Sequence, residues 1–108
     1  MLPGRIPDEA ALLAALAAPA YLLFKHSARC PLSAKAFAAY RAFIEGRPGL
    51  ATGWLDVVEQ QPLARLATER TGVAHQSPQA LWIRDGAVAW HASHWDITGE
   101  TLAGAVAA

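Results

Sequence analysis

Residues 21–33 read YLLFKHSARCPLS, and this stretch decides how the chain is organised. Its beginning, residues 21–24, is apolar and of strand length, while residues 34–45 space alanines and aromatic side chains as in an amphipathic helix. Between the two lies Cys30, the only cysteine among 108 residues. Because Pro31 lacks a backbone N–H and favours the first position of a helix, the sequence predicts Cys30 as the N-cap residue.

The surroundings of Cys30 favour a thiolate. The free N–H groups at the start of a helix carry partial positive charge, which stabilises an anionic sulfur beside them. Residues 10–44 contain no Asp or Glu, and their four cationic side chains are Lys25, Arg29, Lys35 and Arg41. We therefore predict that Cys30 is reactive and that its neighbours, including Lys25 and Pro31, help to stabilise the thiolate.

Each neighbour of the cysteine also has a structural interpretation. Arg29 is the best candidate for contacting an anionic thiol ligand, since it is adjacent to Cys30. The lysines, Lys35 above all, could belong to a solvated face, and His26 either tunes the thiolate or ends a strand at the surface. Cys30 itself could be a small buried hydrophobic residue, as many free cysteines are.

Composition narrows the class of protein. The length of 108 residues fits a single domain covering the whole chain, and a hydrophobic content of 54% argues against disorder. The formal net charge is zero and no run of Lys or Arg occurs, so we expect no nucleic-acid partner. A single cysteine forms no internal disulfide, which favours a reducing, cytoplasmic location.

The apolar run over residues 10–18 invites comparison with a signal peptide. Asp8 and Glu9 precede it where a signal peptide carries positive charge, and Pro19 ends it, so a helix is the better interpretation. No apolar segment reaches the roughly 18 charge-free residues that a membrane span needs. We therefore expect no membrane association.

The order of predicted elements defines the fold class. The chain is predicted to contain strands over residues 20–25, 54–59, 79–84 and 87–93, and helices after Asp8, Cys30, Gln61 and Thr98. Asp85-Gly86 supplies a two-residue hairpin turn between the last two strands. A parallel strand–helix–strand unit followed by an antiparallel hairpin predicts an α/β, thioredoxin-like three-layer fold, a four-stranded mixed sheet with flanking helices.

Four motifs in this order resemble those of a known family. They are FKHS at 24–27, CPLS at 30–33, HQSPQ at 75–79 and VAWHASHWDIT at 88–98. Together they are similar to the monothiol bacilliredoxins of the bacillithiol system, a thioredoxin-like family. The resemblance implies an enzyme that removes bacillithiol from S-thiolated proteins, with bacillithiol as co-substrate and no bound cofactor or metal.

The resemblance also implies roles for individual residues. Cys30 would be the nucleophile, and Ser33 stands where a dithiol relative keeps its resolving cysteine. A serine hydroxyl can donate a hydrogen bond to the sulfur but cannot form a disulfide, so a second small thiol would resolve the adduct. Ser77-Pro78 would form the substrate-facing loop, where thioredoxin-like folds place a cis proline.

The sequence does not decide the roles of several other residues. Thioredoxins carry a buried carboxylate on the strand before the active site, whereas residues 21–24 contain none, which fits a monothiol mechanism. The direction of Asp56, an acidic residue within the candidate strand at 54–59, is undecided. The histidines at 75, 91 and 94 suggest a metal site only weakly, because their spacing is not a recognised ligand pattern. Trp95 lies in a loop and could form part of a contact surface.

Two other functions remain beside the oxidoreductase. A monothiol protein of this fold could carry an iron–sulfur cluster between two subunits, as monothiol glutaredoxins do, and freshly purified protein would then be brown. A non-catalytic binding module is the other alternative, and it would keep its function in a Cys30→Ser variant.

Overall fold

The computed structural model describes residues 4–107. Its four helices are α1 (Glu9–Leu16), α2 (Pro31–Glu45), α3 (Gln61–Thr71) and α4 (Gly99–Ala107). Its four strands are β1 (Ala20–His26), β2 (Thr52–Asp56), β3 (Gln79–Arg84) and β4 (Ala87–Ser93), and a short 3-10 turn covers His94–Asp96.

The strands form one mixed sheet in the order β2-β1-β3-β4. β1 runs parallel to β2, with Phe24 opposite Trp54, and antiparallel to β3, with Phe24 opposite Ala80. β3 and β4 form the antiparallel hairpin. The predicted thioredoxin-like arrangement, with the apolar first strand inside the sheet, is therefore confirmed.

Successive side chains of a strand point to opposite faces of the sheet, and in the central strands both faces are covered by helices. Leu22 and Phe24 of β1 face α2 and α4, whereas Leu23 faces α1 and α3. The first face has a core of nine buried residues: Leu22, Phe24, Ala36, Tyr40, Ile44, Ala80, Trp82, Ile97 and Leu102. The second face buries Ile6, Leu12, Leu16, Leu23, Leu55, Ala67, Leu81 and Ile83.

Local signals place the element ends as predicted. The Asp8 carboxylate accepts a hydrogen bond from the Ala11 N–H at the start of α1, and Gly72 ends α3 with φ +73°. Asp85 and Gly86 have φ values of +52° and +76°, which identify the hairpin turn. The hydroxyl of Thr98 accepts from the Thr101 N–H and caps α4.

The predicted bounds of the second strand are wrong. β2 covers Thr52–Asp56 rather than residues 54–59, because the Asp56 side chain turns the chain. Its carboxylate accepts hydrogen bonds from the N–H groups of Val58 and Glu59, both at 3.0 Å. These two N–H groups are therefore not available to pair with a neighbouring strand. The segment after Asp56 is therefore a turn leading into α3.

Within residues 4–107, no helix is long and apolar enough to cross a bilayer.

Candidate active site

One end of the sheet gathers the residues singled out in the sequence. The parallel strands β1 and β2 end there at His26 and Asp56. β3 is antiparallel to β1, and β4 is antiparallel to β3. The start of β3 at Gln79 and the end of β4 at Ser93 therefore lie at this same end of the sheet. The segment 27–30 leaves this edge and enters α2, so the topology brings Cys30 close to the loop that precedes β3.

Cys30 is the N-cap of α2, as predicted, with Pro31 opening the helix. It is half-buried and has an extended backbone, φ −108° and ψ 118°. Its N–H donates to the Ser27 carbonyl at 3.2 Å, and its carbonyl accepts from the Ala34 N–H at 3.1 Å. The thiol makes no capping hydrogen bond to the N–H groups of the first turn within residues 4–107.

Ser33 braces the loop that carries the cysteine. The residue is fully buried, and its Oγ atom accepts the Ser27 N–H at 2.9 Å and lies 2.9 Å from Nδ1 of His26. The hydroxyl has one proton, which it can donate to Nδ1 in the tautomer that carries the ring proton on Nε2. The hydrogen bond from Ser33 to the sulfur that the sequence suggested is not formed among the described residues.

His26 is tied into the aromatic core of the α2 face. Its ring stacks on Phe37 with centroids 4.2 Å apart and meets the edge of Trp54 at 5.7 Å. Burial lowers the pKa of His26, and the nearby Asp56 carboxylate opposes this only in part. Burial therefore favours the neutral imidazole, and its described partner is Ser33 rather than the cysteine.

Asp56, whose direction the sequence left open, points neither at the thiol nor into water. It is 5% exposed, and its carboxylate accepts the two backbone N–H groups of the following turn. Its role in the structure is to end β2.

Lys25 departs most from the sequence-based expectation. It is 1% exposed, so it belongs to no solvated face, and Nζ donates to Oε1 of Gln79 at 3.1 Å. Gln79 in turn donates from Nε2 to the Ala74 carbonyl at 3.1 Å. Burial lowers the pKa of Lys25 to about 8. No hydrogen bond joins Lys25 to Cys30 in the part of the chain that the structure describes.

The Ser77-Pro78 peptide bond is cis. Pro78 is fully buried, and its carbonyl accepts the His94 N–H at 3.2 Å, which joins the loop to the 3-10 turn after β4. The Ser77 Oγ atom is buried and has no hydrogen-bond partner among the described residues. The loop that the resemblance identified therefore lies at the sheet edge where the cysteine segment begins.

The rim of this region is exposed. Arg29 is exposed beside Cys30, and the Lys35 ammonium lies 5.4 Å from the centroid of the Trp95 ring. Within residues 4–107, Val58 and Trp95 are the two large hydrophobic side chains that are clearly exposed, at 40% and 72%. They follow β2 and β4, the outer strands, and so flank the site from both sides. Val58 was not identified from the sequence, because its exposure depends on the turn after Asp56.

Residues 4–107 contain no group of three His, Cys, Asp or Glu side chains arranged to hold a metal ion.

Solved structures share this fold. A thioredoxin-fold protein with a suggested oxidoreductase function superposes with a TM-score of 0.84 at 27% identity, covering 95% of this chain and 91% of that one. Desulfothioredoxin from Desulfovibrio vulgaris Hildenborough gives 0.71 at 21% identity, covering 99% and 98%. A point mutant of thioredoxin from Halobacterium salinarum NRC-1 gives 0.75 at 15%, covering 97% and 88%. The last two likenesses concern the fold alone.

The family comparison is more specific. The model of the monothiol bacilliredoxin BrxC family matches residues 7–102, which span all four strands, Cys30 and the Ser77-Pro78 loop. A match of this extent, together with a thioredoxin fold and a single cysteine at the N-cap of α2, is consistent throughout with the resemblance seen in the sequence. The chain belongs to the monothiol bacilliredoxin family.

Proposed function

We propose that this protein is a monothiol thiol–disulfide oxidoreductase that removes bacillithiol, or a similar small thiol, from protein mixed disulfides. The observation that carries the proposal is the position of Cys30, a half-buried thiol at the start of α2 whose sulfur has no capping hydrogen bond within residues 4–107. The family match supports redox chemistry at this residue.

The reaction divides into two exchanges. The Cys30 thiolate attacks the sulfur of the small thiol in the mixed disulfide, a new disulfide forms at Cys30, and the substrate protein leaves as a thiolate that takes a proton from water. A second molecule of the small thiol then attacks the adduct. Its sulfur joins the bound small thiol in a symmetrical disulfide, and Cys30 leaves as a thiolate. Overall the substrate cysteine is reduced, the second small thiol is oxidised, and Cys30 is unchanged.

The residues around the cysteine suit this scheme. Ser33 occupies the position three residues after Cys30 and cannot form a disulfide, so the adduct has to be resolved by another molecule. The N-terminal N–H groups of α2 stabilise the attacking thiolate, and Arg29 is free to approach an anionic ligand from the exposed side. We place Ser77 and Pro78 against the substrate backbone, and the reaction in a reducing, cytoplasmic compartment.

Intact mass spectrometry tests the proposal directly. The protein is exposed to bacillithiol disulfide or to glutathione disulfide, with Cys30→Ser as the control. We expect one adduct of the small thiol on the wild type alone, removed by adding the free thiol. Equal modification by both disulfides would keep the exchange chemistry and remove bacillithiol as the specific partner. No adduct from either, on folded and reduced protein, would contradict the proposal.

The two alternatives are less well supported. The family match does not favour a cluster carrier or a non-catalytic binding module. Colourless protein after anaerobic purification would count against the cluster carrier, and loss of exchange in Cys30→Ser would count against the binding module.

A further inference from the structure

A groove with a volume of about 290 Å³ lies between α3 and the loop that precedes β3. Helix α3 contributes one wall, and the turn after β2 and the loop contribute the other. The groove is lined by Val57, Gln61, Ala64, Arg65, Thr68 and His75. None of these side chains is acidic.

The titratable side chains that line the groove, Arg65 and His75, are both basic. The Arg65 guanidinium is exposed at the wall, and the Lys25 ammonium lies close enough to His75 to help burial lower the pKa of that imidazole. An ammonium has three donors, and within residues 4–107 the structure gives Lys25 one hydrogen bond, to Gln79, and no carboxylate partner. A buried cation without a counter-ion strengthens the field that an anion in the groove would experience.

The groove is connected to the cysteine end of the sheet through both of its walls. The Val57 N–H donates to the His26 carbonyl at 2.9 Å, and His26 begins the segment that leads to Cys30. On the other wall, His75 precedes the cis Ser77-Pro78 bond in the same loop. Both walls of the groove therefore continue directly into the segments that carry Cys30 and the cis Ser77-Pro78 bond.

We propose that the groove binds a carboxylate of the small thiol that reacts at Cys30, with Arg65 and His75 as its donors. A guanidinium pairs with a carboxylate through two parallel hydrogen bonds, which orients the ligand as well as attracting it. The inference rests on the proposed exchange reaction and adds to it a selection for thiols that carry a carboxylate.

Two disulfide substrates distinguish binding of a carboxylate in the groove from the exchange reaction at Cys30. Glutathione disulfide carries carboxylates, whereas bis(2-hydroxyethyl) disulfide has none and no charge. In each case the Cys30 thiolate attacks one sulfur, forms the mixed disulfide and releases one thiolate. The rates of adduct formation with the two disulfides can therefore be compared directly. Intact mass spectrometry at a series of times gives both second-order rate constants.

Arg65→Gln should lower the rate with glutathione disulfide roughly 10- to 100-fold, the loss expected for a hydrogen bond to a charged group, and leave the rate with the uncharged disulfide unchanged. Arg70→Gln is the matched control. It makes the same change of charge at an exposed position of α3 that does not line the groove, so it should retain the wild-type preference.

A measurement on the unmodified protein guards against a variant that misfolds. Free succinate should slow the reaction with glutathione disulfide but not with the uncharged disulfide, while sodium chloride at equal ionic strength should have a smaller effect. The inference is overturned by equal effects of Arg65→Gln and Arg70→Gln, by a loss that is the same with both disulfides, or by no selective effect of succinate. Failure of the exchange proposal is different, because the wild type would then form no adduct with either disulfide.

Discussion

The Nδ1 atom of His26 lies 2.9 Å from the Oγ atom of Ser33, so a hydrogen bond joins the last residue of β1 to the third residue of α2. The same Oγ accepts the Ser27 N–H. Two contacts from one buried hydroxyl therefore fix both ends of the short loop that presents Cys30. This arrangement gives the serine at this position a structural reason, beyond its inability to form a disulfide.

Replacing Ser33 with alanine should destabilise the protein by about 1–3 kcal/mol, because the partly buried Ser27 N–H would lose its acceptor. Urea denaturation measures the change in the free energy of unfolding. Ser27→Ala is the control, since it keeps that backbone N–H, and it should stay within about 0.5 kcal/mol of the wild type. Similar losses in both variants would show that the Ser33 hydroxyl does not brace the loop.

Burial of Lys25 should make stability depend on alkaline pH. Its pKa is lowered from 10.5 to about 8, so between these values the unfolded chain binds more protons than the folded one. The free energy of unfolding should therefore rise with pH over this interval, by about 3 kcal/mol. Below pH 8 both states are protonated and this dependence is absent.

Denaturation at several pH values, in Lys25→Met and in wild type, checks this expectation. The methionine variant should lack the rise, whereas Lys35→Met, at an exposed position, should retain it. A rise of the same size in Lys25→Met would assign the pH dependence to another group.

Trp95 should matter for protein substrates and not for stability. With 72% of its surface exposed, Trp95→Ala should change the free energy of unfolding by less than about 0.5 kcal/mol. An exposed aromatic ring beside the site offers apolar contact area to a polypeptide, so kcat/KM for a protein mixed disulfide should fall by about tenfold. The rate with a small disulfide should not change, and Trp95→Phe should restore most of the loss. Equal losses with both substrates would assign Trp95 a different role.

Two glycines should respond to alanine in opposite directions. A Cβ on Gly53 would collide with the Tyr21 hydroxyl and lie 3.1 Å from Cγ1 of Ile6, so Gly53→Ala should cost about 1–3 kcal/mol. A Cβ on Gly104, within α4, would meet no atom within 4 Å. Gly104→Ala should therefore stabilise the helix by about 0.5–1 kcal/mol, because alanine loses less backbone freedom on folding. Thermal unfolding of both variants checks the pair, and a stable Gly53→Ala protein would contradict the packing seen at β2.

Much of the fold could be predicted because its signals are local. Pro31 and Asp85-Gly86 act through their own backbone preferences, so the start of α2 and the hairpin turn are where the sequence places them. The apolar run of β1 required burial on both faces, which only a central strand provides. The end of β2 was missed because it depends on which groups the Asp56 carboxylate accepts, a choice between neighbouring N–H groups that residue type does not settle.

The features of the candidate site also fall into two groups, those that local sequence decides and those that tertiary packing decides. The sequence by itself determined that the protein has one cysteine, at the N-cap of a helix and after an apolar strand, because helix capping is a matter of adjacent residues. Only the tertiary structure decided that Ser33 bonds His26, that Lys25 is buried against Gln79, and that Arg65 and His75 line one groove. These partners come from different elements, and they meet only because packing the helices on the sheet fixes which side chains are removed from water.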